Sequence, residues 1–265
     1  MSEDVILNVR DVYRTYDIKG GLFKKASTLT AVKGVSLDVE RGTTLAVVGE
    51  SGCGKSTLAR MLVGLMEPSA GRITLEGKPV RGLKGDEKLR VHRSVQLVFQ
   101  DPLSSLNPRK TVRQILEAPL IALTDGDRRD RARRVEELMQ LVSLRPEFID
   151  RYPHEFSGGQ AQRIGIARAL AVEPSLIVLD EPVSALDVSV QAQVLKLLRD
   201  LQARLGLTYV FISHDLAVVE VLADQVMVMH RGKVVEQGGR EQVFNQPSHE
   251  YTRELLGAVP RIQAA

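Results

Sequence analysis

Residues 44–48 (TLAVV), 94–99 (SVQLVF), 176–179 (LIVL) and 209–212 (YVFI) are short, almost unbroken apolar runs. Runs of this length, rich in β-branched and aromatic residues, predict strands, and the last two are too apolar for an exposed edge. The first ends in Gly49, and residues 56–65 then continue at helical spacing. Strands that alternate with helices predict an α/β core whose sheet is mostly parallel. From about Asp101 to Ile164 the strand signals stop. Residues 130–142 place Val135, Leu138, Met139 and Val142 at helical offsets, so the middle of the chain reads as a helical insertion. Residues 225–235 carry two short β runs around His230-Arg231-Gly232-Lys233, and a helical tail follows over residues 251–256. Repeats and low-complexity segments are absent.

Composition narrows the picture without redirecting it. The 265 residues can bury a substantial core, and 43% hydrophobic with 26% charged residues is globular rather than disordered usage. A formal charge of +3 is too small to argue for a polyanion, so no nucleic-acid partner is expected. The single cysteine, Cys53, excludes an internal disulfide framework and fits a reducing compartment. No apolar run approaches the ~18 residues that span a bilayer, and Met1 to Arg10 lacks a signal-peptide core. The expectation is a cytosolic chain; if it works at a membrane, other subunits do the spanning.

Three segments carry chemistry. Gly49-Glu50-Ser51-Gly52-Cys53-Gly54-Lys55-Ser56-Thr57 fits G-x-x-x-x-G-K-[ST] between a strand and a helix. Its glycines let backbone N–H groups close round phosphates, and the helix start behind them favours negative charge. Lys55 is placed to reach the β- and γ-phosphates and the Ser56 hydroxyl to ligate Mg²⁺, while Cys53 reads as a loop filler. The second segment is Asp180-Glu181-Pro182, at the C-terminal end of the 176–179 run, where an α/β sheet binds ligands. There Asp180 suits the metal, directly or through water, and Glu181 suits the general base that deprotonates attacking water. Two solvated acids opening a helix are the plainer alternative, but Pro182 and Val183 do not begin a convincing helix.

The third is Ser157-Gly158-Gly159-Gln160. Ser157 with Gln160 satisfies an S-x-x-Q capping box, which needs no phosphate. A cap does not need two glycines in its first turn, where each costs up to ~1 kcal/mol against alanine. They make sense where the backbone approaches another group closely, and a helix start with a serine hydroxyl is an anion site.

With these residues in view, the chain resembles an ABC transporter nucleotide-binding subunit over nearly its whole length. The resemblance implies a RecA-like P-loop NTPase core, an N-terminal antiparallel β part and an inserted helical subdomain. It implies one ABC ATPase domain over 1–265: residues 1–100 and 165–238 as nucleotide-binding core, 101–164 as helical signature subdomain, 239–265 as a short C-terminal extension. Tyr16, with Tyr13 close by, resembles the aromatic that stacks on adenine. Gln100 matches the Q-loop glutamine that contacts Mg²⁺ or water and links the core to the helical part. Ser157, Gly158, Gly159 and Gln160 match the signature motif, which contacts the γ-phosphate held by an opposite subunit. Ser184-Ala185-Leu186-Asp187 match the D-loop that crosses the dimer interface, and His214 matches the switch histidine that senses the γ-phosphate. Phe156 stands where leucine is commoner, and no catalytic position is degenerate. ATP and Mg²⁺ are therefore the implied cofactors.

Residues 100–109 (QDPLSSLNPR), 151–160 (RYPHEFSGGQ) and 181–189 (EPVSALDVS) are similar to the dipeptide/oligopeptide/nickel importer group. Within it the chain most resembles the F-type peptide-import ATPase, which pairs with a D-type one. The tail 247–252 (PSHEYT) to Val259-Pro260 also fits that group. The resemblance implies a second ATPase subunit, two transmembrane permease subunits and, indirectly, an extracytoplasmic solute-binding protein. The place implied is peripheral, on the cytoplasmic face of the inner membrane. Peptide uptake is the expected work, and nickel or metallophore uptake the alternative. A P-loop kinase has no use for residues 157–160 or 184–187, and a ribosome- or DNA-acting ABC ATPase normally carries two cassettes or a long coiled coil. Arg128, Arg129, Arg131, Arg133 and Arg134, interleaved with Asp127 and Asp130, read as a solvated helix face, and Lys19 to Lys25 as a basic loop.

Overall fold

The computed structural model describes residues 4–18, 27–80 and 82–258. The basic loop at 19–25 and the end of the tail, with Val259 and Pro260, lie outside them. The chain forms two compact units, Met1–Leu83 with Val210–Ala265, and Lys84–Tyr209.

The first unit opens with β1 (Val5–Ile18) and β2 (Ser27–Glu40), then β3 (Thr44–Val48), α1 (Lys55–Leu62), β4 (Ala70–Leu75) and β5 (Lys78–Pro79). One sheet has the order β2-β1-β4-β5, all antiparallel, which is the expected N-terminal β part. Neither long strand stood out as an unbroken apolar run. In β2, buried Val35, Leu37 and Val39 alternate with more exposed Ser36 and Asp38, so the signal has period two. Helix α1 stops short of the expected residue 65: Gly64, at φ 73°, takes the left-handed turn that ends it.

The second unit runs α2 (Gly85–Ser94), β6 (Val95–Val98), α3 (Pro102–Ser105), α4 (Val112–Leu123), α5 (Arg128–Leu141), α6 (Gly158–Leu170), β7 (Leu176–Asp180) and α7 (Val188–Leu205). The strand expected at 94–99 is shorter, because Ser94 closes α2. Strands β6 and β7 pair in parallel, Val95 to Leu176 through Val98 to Leu179. Between them the described chain is helical, as the loss of strand signal implied. Capping boxes start α4 at Thr111 and α5 at Asp127. Helix α5 buries Val135, Leu138 and Met139. Its arginines are engaged at the surface: Arg133 with Asp130 at 3.1 Å, Arg134 with Glu137 at 3.2 Å and with the Leu170 carbonyl at 3.0 Å.

The chain then passes through β8 (Thr208–Ser213) and completes the first unit with α8 (Leu216–Leu222), β9 (Gln225–His230), β10 (Lys233–Gly239), α9 (Arg240–Asn245) and α10 (Glu250–Gly257). The buried strand β3 pairs in parallel with β9, Leu45 to Gln225 through Val48 to Val228, and β10 adds an antiparallel edge. The loop after β3 therefore leaves the C-terminal end of a parallel pair, the position at which such sheets bind ligands.

The start of α10 is fixed by one buried carboxylate. Glu236, 7% exposed, accepts from the Ser248 N–H at 2.7 Å, the Ser248 hydroxyl at 2.8 Å and the His249 N–H at 3.1 Å. Burial alone would raise its pKa, but the nearby Thr252 hydroxyl and the hydrogen bonds from Ser248 and His249 outweigh it and hold the carboxyl down to about 2. A lowered native pKa contributes stability that is complete above the ordinary value of 4.5 and lost as pH falls through about 2. Glu236→Gln is therefore expected to lower the unfolding midpoint at pH 7, with the gap from wild type closing below about pH 4.5 in a series of thermal melts. A gap that stays constant down to pH 2.5 would show that the charge contributes nothing.

Candidate nucleotide site

In the first unit, the loop from Gly49 to Lys55 has a shape that side chains would block. A Cβ at Gly49, where φ is +147°, would lie 2.1 Å from the Met229 carbonyl oxygen; one at Gly54, at +110°, would lie 2.3 Å from that of Ala31. Both positions need glycine for conformation and for space. Lys55 is 4% exposed, and its ammonium donates to the carbonyls of Gly49 at 2.6 Å and Glu50 at 2.9 Å, so the loop is wound round its own lysine. Ser51 and Gly52 are exposed at the rim, and Ser56 and Thr57 are half-buried in the first turn of α1. That helix starts at Gly54 without a side-chain cap, in contrast to α4, α5, α6 and α7. A glycine-walled loop, a buried ammonium and an uncapped helix start fit a polyphosphate. Burial pushes the Cys53 thiol up, so it is not an activated nucleophile.

The loop is also held by residues to which the sequence assigned no part in the site. Gly232 donates its N–H to the Cys53 carbonyl at 2.9 Å. The Glu50 N–H donates to the Tyr251 hydroxyl of α10 at 3.1 Å, and the Tyr251 ring stacks on His230, centroids 3.9 Å apart and planes at 20°. The PSHEYT stretch signalled only family likeness, because nothing local tells where its tyrosine points.

Tyr16 lies in β1, its hydroxyl 3.1 Å from the Met66 sulfur and the Arg14 guanidinium 4.8 Å from its ring centroid. Tyr13 is placed differently: its hydroxyl would be 2.8 Å from a Cβ on Gly34, so its ring end covers that glycine. His214 is exposed directly after β8. The turn around it is fixed by the Asp215 N–H donating to the Ser213 hydroxyl at 2.9 Å and by Asp215 capping α8.

In the second unit, β7 ends in Asp180 and Glu181 follows it, 6% and 8% exposed. Glu181 has φ 47°, a left-handed conformation that costs a non-glycine residue about 1–3 kcal/mol. Surrounding hydrogen bonds offset that strain. Ser184 donates to the Glu181 carbonyl through its N–H at 3.3 Å and its hydroxyl at 3.1 Å, and the Gln191 amide donates to the carbonyls of Val183 and Leu186, each at 3.0 Å. The Gln100 amide donates to the Glu181 carboxylate at 3.0 Å, which joins two residues that the sequence nominated separately. Asp187 caps α7 by accepting from the Val190 N–H at 3.0 Å. The Ser189 hydroxyl, then that N–H, hold its pKa below the usual carboxylate range.

Ser157 makes the capping box of α6, receiving the Gln160 N–H at 3.4 Å while the Gln160 side chain receives the Ser157 N–H at 3.0 Å. The close approach inferred from the two glycines is present inside this unit. A Cβ on Gly158 would be 3.2 Å from Leu186, and one on Gly159 only 2.3 Å from Val190 of α7. The glycines thus let α6 seat on the 184–187 turn, independently of any phosphate. Ser157, Gly159 and Gln160 also face a cleft of about 500 Å³ that Arg145 and Arg163 share, a basic lining open to an anion. Gly159→Ala gains helix propensity but drives a methyl into Val190. Overpacking wins, and the variant is expected to lose about 1–3 kcal/mol, measured by denaturant unfolding. Wild-type stability would mean that the two helices do not touch there.

Among the described residues no three His, Cys, Asp or Glu gather as a metal cluster, and no helix is long and apolar enough to cross a membrane. A cation held partly by nucleotide phosphates does not need such a cluster, and the hydroxyl, amide and carboxylate oxygens of Ser56, Gln100 and Asp180 are hard donors of the kind Mg²⁺ takes.

The ABC transporter family matches residues 32–184. The dipeptide transport ATP-binding protein DppF of Haemophilus influenzae is 53% identical over 257 residues, 97% of this chain and 79% of that protein. The oligopeptide transport ATP-binding protein AppF of Bacillus subtilis is 50% identical over 262 residues, 98% of this chain and 79% of that one. A solved ATP-binding cassette, dimeric and bound to ADP and Pi in a post-hydrolysis state, aligns with a TM-score of 0.78 at 30% identity, over 89% of this chain and 99% of that one.

Proposed function

The chain belongs to the ABC transporter family, and from that premise we propose that it is the ATP-hydrolysing subunit of a membrane importer for peptides. The observation that carries the ATPase reading is the loop wound on Lys55 at an uncapped helix start. The likeness to peptide transport relatives supports the cargo class.

In this reading the glycine loop and Lys55 bind the β- and γ-phosphates of ATP, and Tyr16 stacks on the adenine. Ser56, Asp180 and Gln100 are the residues that would hold Mg²⁺, which when bound neutralises charge on the β- and γ-phosphates. Glu181 accepts the proton as water attacks the γ-phosphorus; the bond to the ADP oxygen breaks and ADP leaves with phosphate. The amide of Gln100 holds the Glu181 carboxylate from one side and so limits the directions in which it can take that proton. His214 responds to the γ-phosphate. Residues 157–160 act on the nucleotide of a second ATPase subunit, with Asp187 at the interface of the pair. Residues 101–164 serve as the helical part that passes the movement to two permease subunits. The subunit works peripherally, at the cytoplasmic face of the membrane, with a solute-binding protein acting on the far side.

The test is uptake of radiolabelled dipeptides and oligopeptides, and of a Ni²⁺ chelate, by cells with and without this subunit. Peptide uptake that depends on the subunit and on Lys55 supports the reading. Loss of chelate uptake alone would assign the motor to metal import instead.

A further inference from the structure

We propose that Tyr251 is a positioning residue for ATP binding, through which the C-terminal helix α10 sets the conformation of the phosphate loop. The inference rests on the nucleotide reading above and adds to it a part of the chain that the sequence left without a role.

Glu50 is the residue on which the loop is clamped from two sides. Its carbonyl receives the Lys55 ammonium at 2.9 Å, and its N–H goes to the Tyr251 hydroxyl at 3.1 Å. With both backbone groups engaged, the peptides on either side of Glu50 lose the freedom to flip, and the turn that follows is pinned to the same carbonyl by the Cys53 N–H at 3.3 Å. An anion site built from backbone N–H groups binds well only if those groups are oriented before the anion arrives. The support beneath Tyr251 is equally fixed. Its ring stacks on His230, and its own N–H is capped by the His249 ring nitrogen at 3.1 Å. The turn before it is tied to Glu236. Burial pushes the Tyr251 phenol up, so it stays neutral at physiological pH. A neutral hydroxyl that accepts the Glu50 N–H adds no charge to repel the phosphates.

The experiment measures binding of a fluorescent N-methylanthraniloyl derivative of ATP to the full chain, with ATPase kinetics and thermal melts in parallel. Tyr251→Phe keeps the ring on His230 and deletes the hydroxyl. It is expected to raise Kd and KM about three- to tenfold, the effect of one neutral hydrogen bond, with kcat unchanged. The melting midpoint of this variant is expected to fall by no more than a few degrees, the loss of one net hydrogen bond. Tyr251→Leu removes the ring as well, and is expected to weaken binding at least as much while lowering the midpoint. Wild-type Kd in Tyr251→Phe, or a fall in kcat with KM unchanged, would overturn the proposal. So would a Leu variant that melts earlier yet binds as wild type. If wild-type protein itself fails to bind the analogue, it is the nucleotide reading that falls, and this inference with it.

Discussion

Glu181→Gln is expected to bind ATP as wild type does and to hydrolyse it about 10²–10⁴-fold more slowly, the contribution of a positioned general base. The substitution isolates that one role. Glutamine has the size of glutamate, bears the same left-handed φ of 47°, and keeps a side-chain oxygen to receive the Gln100 amide now 3.0 Å from Oε2. What it cannot do is take the proton of the attacking water. ATP binding then persists without the step that would end it, and the two-subunit, ATP-holding state is expected to accumulate. Light scattering after size exclusion with Mg·ATP reads the mass of that species, and phosphate release reads the chemistry. Turnover at the wild-type rate would remove Glu181 as the base.

Ser157→Arg tests whether the nucleotide site is completed by another subunit. The isolated chain is expected to bind ATP with unchanged affinity, and hydrolysis is expected to fall by at least about 10²-fold, as when a group that acts in the transition state is removed. The serine lies at the exposed start of α6 beside a cleft that already holds Arg145 and Arg163. A third guanidinium there fills the space where residues 157–160 would meet the partner's nucleotide. Ser157→Ala is the control: it deletes the cap hydroxyl, which costs about 1 kcal/mol of stability, without adding bulk. A large loss of ATP affinity in the Arg variant measured at monomer concentrations would place Ser157 on its own subunit's nucleotide.

The residues that were legible in the sequence share a physical property: their signals are local. A run such as 176–179 is apolar because a doubly covered strand has no polar face, and β7 follows it with a single added residue. β1 and β2 were harder to read. Their burial alternates along the strand and is interrupted by register shifts between Val9 and Val12 and between Arg14 and Thr15, so no window shows a clean run. The Ser157 box shows a different limit. Its glycines announced a close approach correctly, but the sequence had no means of saying that the neighbours are Leu186 and Val190 of the same unit.

By itself, the sequence determined the parts: a phosphate loop whose glycines and lysine must stand in that order, two acids at a strand end, and a serine–glutamine cap. These depend on φ, spacing and side-chain chemistry within a few residues, which the sequence states directly. The tertiary structure decided which parts touch. Gln100 reaches Glu181 across 81 positions of the sequence, and the Glu50 N–H finds the Tyr251 hydroxyl across 201. A hydrogen bond has a tolerance of a few tenths of an ångström, and a chain of this length folds through far larger displacements than that. Only the register of β6 on β7, and the anchoring of α10 by Glu236, bring those atoms within reach.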